Sequence, residues 1–178
     1  YGTIDAYTGR LQRVLLSDRT FEGELLPLEK VKQNMLEFLK RDYGQEEFDV
    51  EYLGINYRFS SNQDIKLYSF RVYPIHENHK VNVPFIIYFN ARSGYIYNLI
   101  TERSSYTFIE PDYQIDTSFQ ITSSEGLKLL NTEEDYIFSE TLIIKSKLSG
   151  EYILVHMYKN DNREMYVNTI TGEQEFSY

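Results

Sequence analysis

Two of the three histidines in this chain stand close together, and they are the residues best able to do chemistry. His76 and His79, with Glu77 between them, form the segment HENH. A zinc-peptidase helix needs two histidines four positions apart, so that both imidazoles lie on one face. The spacing of three, together with the flanking Pro74 and Pro84, predicts a solvated loop between strands and no metal site.

Other catalytic chemistries leave no signature in the sequence. The absence of cysteine excludes disulfides, thiolate metal sites and cysteine nucleophiles. No G-x-S-x-G motif occurs, and no glycine-rich phosphate loop precedes a helix. With 27 acidic residues in the chain, a pair of carboxylates is available by composition alone. The sequence therefore predicts a protein that is not an enzyme and has no cofactor.

Charge and composition narrow the classes of partner. The 27 acidic residues outnumber the 18 basic ones, giving a net charge of −9, which argues against nucleic acid and anionic membranes. No apolar run approaches the ~20 residues that span a bilayer, so this segment is not expected to insert directly into a membrane. The 17 tyrosines and 11 phenylalanines favour half-buried strands, or a tyrosine-lined face that binds peptide or glycan.

A strand–turn–strand pattern recurs three times, in Tyr1–Leu11, Ile87–Tyr97 and Met165–Phe176. Each copy has Asp or Asn, then Ser or Thr three positions later, then Gly. Asp or Asn accepts backbone hydrogen bonds within such a turn, and Gly supplies a positive φ. The predicted structural turn residues are Asp5 and Gly9, Asn90 and Gly94, and Asn168 and Gly172.

The elements between these turns alternate between helix and strands. Pro27 opens a predicted helix over Leu28–Tyr43, whose apolar residues recur at spacings of three and four, and a shorter helix is predicted over Ser123–Leu130. The remaining apolar stretches predict strands at Phe48–Phe59, Ile65–Tyr73, Val83–Phe89, Tyr95–Thr101, Tyr136–Leu148, Tyr152–Tyr158, Glu164–Asn168 and Glu173–Tyr178.

This order predicts an α+β fold made of tandem small modules, each with one helix packed on an antiparallel sheet of about four strands. The expected modules are residues 25–103 and 121–178, joined by a linker at 104–120. Residues 1–16 are expected to be the closing hairpin of an earlier repeat or an added strand pair.

The repeat resembles the PepSY family of small extracytoplasmic modules, whose late strand carries a V-D-A-x-T-G-E-type turn. The matching segments are Ile4–Arg10, Phe89–Gly94 and Val167–Glu173, with Asn in place of Asp in the last two. The resemblance implies a helix on an antiparallel sheet, a bacterial secreted or cell-envelope location, and local restraint of peptidases without catalysis. Since the shared motif is a signature of the fold, it carries over no functional residue.

These features together predict a noncatalytic extracytoplasmic binding or regulatory module, which restrains a peptidase or another envelope protein. A protein or peptide partner is expected at sheet edges and aromatic faces, with Tyr88, Tyr95 and Tyr97 as the candidate contact surface. The alternatives are a ligand-sensing domain of an envelope signalling protein, a metal-dependent hydrolase using His76 and His79, and a structural spacer.

Overall fold

The computed structural model describes residues 2–4, 11–15, 23–43, 47–60, 63–101, 114–130, 132 and 134–176. Asp5 and Gly9, the first predicted turn, lie outside these residues. The described residues form an α+β fold, with two helices and mostly antiparallel strands. The described elements are β1 Gly2–Ile4, β2 Leu11–Leu15, α1 Leu28–Tyr43, β3 Phe48–Ser60, β4 Gln63–His76, β5 His79–Val81, β6 Phe85–Asn90, β7 Ile96–Thr101, α2 Ser123–Leu129, β8 Ile137–Lys145, β9 Tyr152–Lys159, β10 Glu164–Asn168 and β11 Gln174–Glu175.

The chain divides into two compact units by its internal contacts. The first contains residues 1–74 and 84–107, and the second contains residues 75–83 and 108–178. The boundaries of the predicted modules at 25–103 and 121–178 stay a prediction. The short segment 75–83, which the sequence analysis included in the first module, groups with the second unit.

In the first unit, the strands follow the order β1-β2-β7-β6-β4-β3. All the described pairings among them are antiparallel; β1 pairs with β2, and β2 pairs with β7. On α1, the predicted apolar residues Val31, Met35, Phe38 and Leu39 are buried, and so are Phe70 and Val72 of β4. We call the face of this sheet that carries Phe70 and Val72 its inner face.

In the second unit, β8, β9, β10 and β11 form an antiparallel series, and β5 pairs with β8 in parallel. Helix α2 starts with a capping box in which Thr122 and Glu125 each accept a backbone hydrogen bond from the other. The core includes Ile115, Ile143 and Leu154. Ile115 falls in the stretch predicted to be a linker, so part of that stretch is packed.

The HENH segment is not the solvated loop that its sequence predicted. His76 ends β4 and His79 begins β5, with the two as cross-strand partners and only Glu77 and Asn78 in the turn. Both turn residues have a positive φ, which is the geometry of a tight two-residue hairpin. Strand β5 was not predicted from the sequence, because this turn contains no glycine. His76 is only 9% exposed.

Neither of the described helices is long and apolar enough to cross a membrane.

Candidate functional site

The central turn in the first unit is held by the side chain of Asn90. Its Oδ1 accepts hydrogen bonds from the backbone N–H of Arg92 at 2.9 Å and of Ser93 at 3.1 Å. The N–H of Gly94 donates to the Asn90 carbonyl at 2.9 Å, and Gly94 has a φ of 68°. This is the predicted Asn…Gly turn, in which one buried amide satisfies two backbone donors.

The second unit contains the same turn. Asn168 Oδ1 accepts from the backbone N–H of Ile170 at 2.9 Å and of Thr171 at 3.1 Å. The Gly172 N–H donates to the Asn168 carbonyl at 3.0 Å, and the φ of Gly172 is 73°. The two turns therefore share their backbone geometry and not only their sequence.

A third copy of this turn follows β8, with Ser146 in the place of Asn. Ser146 Oγ accepts from the backbone N–H of Leu148 and Ser149, and the Gly150 N–H donates to the Ser146 carbonyl at 2.9 Å. The predicted motif, with Asp or Asn in its first position, does not include this turn. Ser, Ser and Gly occur there at the motif spacing, so allowing Ser in the first position would have found it.

Each of the two Asn turns also bonds to the segment that leads into the helix of its unit. In the first unit, the Leu26 N–H donates to the Ala91 carbonyl at 2.8 Å. In the second unit, the Ile121 N–H donates to the Thr169 carbonyl, also at 2.8 Å. These bonds fix the start of each helix beside the turn.

The position four residues after Asn holds glycine in both turns because neighbouring side chains leave no room for a Cβ. A Cβ on Gly94 would lie 2.7 Å from Asn34 Nδ2 and 2.8 Å from Leu26 Cδ1. A Cβ on Gly172 would lie 2.9 Å from Leu129 Cδ1. Asn34 and Leu129 thus cover equivalent glycines, and each comes eight residues after the residue that bonds to the turn.

A groove of about 470 Å³ lies between α1 and the central turn. Its floor contains the buried rings of Phe38 and Phe89, whereas Glu37 and Arg41 are exposed at its rim. The Arg41 guanidinium lies 5.9 Å from the centroid of the Phe38 ring. The groove is lined by Asn34, Glu37, Phe38, Arg41, Phe89, Gly94, Tyr95 and Ile96. Its volume falls within the usual range for ligand pockets, and its lining combines aromatic and charged groups.

The three tyrosines predicted as a contact surface lie in different surroundings. Tyr95 lines the groove and is 66% exposed. Tyr97 is only 5% exposed and forms a cluster with Ile65 and Leu67, against which the partly buried Tyr88 packs. The structure therefore brings Tyr88 and Tyr97 together and leaves Tyr95 at the groove. Their role as a contact surface stays a prediction.

Sequence analysis missed the four groove residues on α1. Asn34, Phe38 and Arg41 recur at spacings of four and three, so they share one stripe of the helix. That stripe is visible in the sequence. Only the tertiary structure shows that the central turn lies beside it.

Both ring nitrogens of His156, in the second unit, lie within hydrogen-bond distance of a partner. Its Nε2 lies 2.8 Å from the Ile121 carbonyl, and its Nδ1 lies 2.9 Å from Thr141 Oγ1. Because a carbonyl only accepts, Nε2 carries the proton. The ring is stacked on Phe119, with a centroid distance of 5.8 Å. His156 is therefore a structural residue of β9, and within the described part of the chain no three histidine or acidic residues are placed to hold a metal ion.

No family model and no curated protein matches the chain. Among solved structures, the chain is similar to the Bacillus megaterium YpeB C-terminal domain, with 17% sequence identity and a TM-score of 0.49. The alignment covers 99% of this chain and 74% of that one. A likeness at this level transfers no residue or activity, so the resemblance to PepSY modules stays a prediction.

Proposed function

We propose that this chain is a noncatalytic binding module, which holds a segment of a partner protein in the groove beside its central turn. The observation that carries the proposal is Tyr95, a large ring that is 66% exposed at the rim of the groove. Tyrosine is enriched at protein interfaces because it offers a large rigid contact area and a polar end.

The walls of the groove suggest what part of a partner would enter it. Phe38, Phe89 and Ile96 offer an apolar floor, which suits one apolar or aromatic anchor side chain of a peptide. Glu37 and Arg41, both exposed, have opposite charges at the rim, where they select the residues flanking the anchor. Because these charges lie at an exposed rim, their effect is on specificity more than on affinity.

The proposal includes the tandem PepSY-like arrangement, an extracytoplasmic or cell-envelope location, and the restraint of a peptidase or another envelope protein. The tandem arrangement is supported by the two Asn turns, which bond in the same way to the segment before the helix of their own unit. The location and the restraint of a peptidase rest on the sequence resemblance alone.

A small-molecule sensor is the second candidate function, because the groove volume of about 470 Å³ falls within the usual range for ligand pockets. The two candidate functions differ in what occupies the groove. A binding module would hold a peptide segment, whereas a sensor would bind a small molecule that is not a peptide.

The test is an unbiased selection from a random peptide library displayed on phage, with the intact chain as bait. The selected peptides are then synthesised, and their affinities are measured for the native chain, Tyr95→Ala and Arg41→Ala. We expect the tyrosine substitution to weaken binding at least ~10-fold, because truncating an aromatic hot-spot residue of an interface costs about 2 kcal/mol or more. Arg41→Ala should weaken it less.

Leu148→Ala is the matched control, since Leu148 is an equally exposed large side chain in the second unit. It should leave the affinities unchanged. Peptides whose binding ignores Tyr95 and Arg41 would contradict the proposal. Fragments that shift amide resonances of the groove residues, with no peptide doing so, would favour the sensor.

A further inference from the structure

Strand β3 is a long edge strand. It contains 13 residues, and among the described strands β4 alone pairs with it. Edge strands expose unpaired N–H and C=O groups, and proteins protect them with charged side chains, above all lysine, with proline, with bulges or by keeping them very short. Residues 48–60 contain no lysine and no proline. The strand does contain three charged residues, Asp49, Glu51 and Arg58, and a bulge between Tyr52 and Gly54.

The inner face of β3 is apolar on both sides of this bulge. Val50 and Tyr52 pair with Val72 and Phe70, whereas Ile55 and Tyr57 pair with Tyr68 and Lys66. The extra residue Leu53 changes the alternation, so that odd-numbered residues after it share the face of even-numbered residues before it. The side chains of Tyr52, Ile55 and Tyr57 are 42%, 43% and 55% exposed.

The strand is complementary to a reversed copy of itself. If two β3 strands run antiparallel about an axis between Leu53 and Gly54, Tyr52 of each stands opposite Ile55 of the other, and Val50 stands opposite Tyr57. Because the bulge has shifted the alternation, these residues all belong to the inner face in both copies. The same register places Asp49 opposite Arg58, two positions of opposite charge in the sequence.

We propose that the outer edge of β3 is a self-association surface, on which a second copy of the chain adds its own β3 in antiparallel pairing. The contact is isologous, so every pairing occurs twice and the assembly closes at two chains. The apolar residues left half-exposed on β3 pair across the axis, and the unpaired backbone groups of both strands are satisfied. This surface is separate from the groove, and the proposal does not depend on what the groove binds.

The test measures the dissociation constant of the intact chain by sedimentation equilibrium at physiological salt. The native chain is expected to form a dimer that dissociates on dilution. Asp49→Arg and Arg58→Asp should each weaken it about tenfold or more, because like charges then face each other twice. The double variant Asp49→Arg/Arg58→Asp restores opposite charges and should regain most of the native affinity. Circular dichroism checks that each variant folds.

A second measurement tests the register without relying on charge. Because the chain has no cysteine, Tyr52→Cys/Ile55→Cys creates thiols that stand opposite each other only across the axis. Mild oxidation should give a covalent dimer, whereas Val50→Cys alone should not. A chain that stays monomeric at about 1 mM, the weak limit of specific association, would overturn the proposal. A dimer that ignores both charge reversals and forms no disulfide would overturn it as well.

Discussion

The turns at Asn90–Gly94 and Asn168–Gly172 have the same hydrogen bonds and different neighbours. Gly94 is covered by Asn34, whose Nδ2 also donates to the Gly94 carbonyl at 3.2 Å. Gly172 is covered by Leu129, near the end of a helix of seven residues. The helix beside Gly94 has 16 residues and continues past the turn.

That difference in helix length accounts for the groove in the first unit. Glu37, Phe38 and Arg41 belong to the part of α1 that continues beyond Asn34, and they form one wall of the groove. Helix α2 ends at Leu129 itself, so it has no corresponding residues. A shared turn geometry is thus accompanied by a groove only where the neighbouring helix is long enough to provide a wall.

The largest expected effect concerns the glycines of these turns. Gly94→Ala combines a positive φ, which costs about 1–2 kcal/mol, with overpacking against Asn34 and Leu26, which costs about 1–3 kcal/mol. Gly172→Ala should cost somewhat less, because it meets one close side-chain atom and Leu129 is half-exposed. Urea unfolding measures both.

Gly150→Ala is the matched control for the glycine variants. Gly150 has a φ of 77°, and no other atom lies within 4 Å of the place that a Cβ would take there, so only the backbone cost remains. A loss of stability as large as that of Gly94→Ala would show that neighbouring side chains contribute nothing.

The second largest loss of stability is expected when the amide side chain of Asn90 or Asn168 is removed. Asn90→Ala and Asn168→Ala each leave two backbone N–H groups without their acceptor, at a cost of about 1–3 kcal/mol. Because the two networks match, the two free energies of unfolding should fall by similar amounts. Asp at either position keeps the acceptors and should preserve most of the stability. A large loss at one turn alone would break the equivalence.

A pH-dependent difference is expected from Tyr158, whose hydroxyl donates to the Ser123 carbonyl at 2.7 Å at the start of α2. Burial raises the pKa of Tyr158 from the usual 10 to about 12. The folded state therefore favours the neutral phenol. The contribution of Tyr158 to the free energy of unfolding is complete below pH 10 and is lost as the pH rises to about 12.

Tyr158→Phe should therefore flatten the alkaline part of the stability curve, an effect on the order of 1–2 kcal/mol. In the first unit, Tyr68 makes the matching hydrogen bond to the Leu26 carbonyl at 2.9 Å, and Tyr68→Phe is the comparison variant. Unfolding free energies between about pH 8 and 12 would decide whether Tyr158 dominates; an unchanged slope in Tyr158→Phe argues that it does not.

The smallest effect is expected from exchanging the residues that cover the glycines. Asn34→Leu loses one hydrogen bond and Leu129→Asn loses part of an apolar contact, so each should cost less than about 1.5 kcal/mol. Asn34→Leu should nevertheless alter peptide binding in the groove, since Asn34 lines it. Equal affinities for the native chain and this variant would remove Asn34 from the binding site.

The sequence alone determined much of the local structure, although not the hairpin at His76–His79. The apolar spacing in Leu28–Tyr43 predicted α1 with both ends correct, and the Asn…Gly motif predicted the turns at Asn90 and Asn168. These features depend on contacts within a few residues: a helix face repeats every three or four positions, and a turn amide reaches donors two and three residues on. Such information is present in a short stretch of chain.

Only the tertiary structure decided what surrounds those elements. Tyr97 lies in β7 and is buried against Ile65 and Leu67, whereas Tyr95 precedes the strand and is exposed. The sequence alone does not distinguish these two tyrosines, which stand only two positions apart. The groove unites α1 with a turn more than fifty residues away, and β3 is an edge because of the strand order. These properties arise from long-range packing, so no local pattern encodes them.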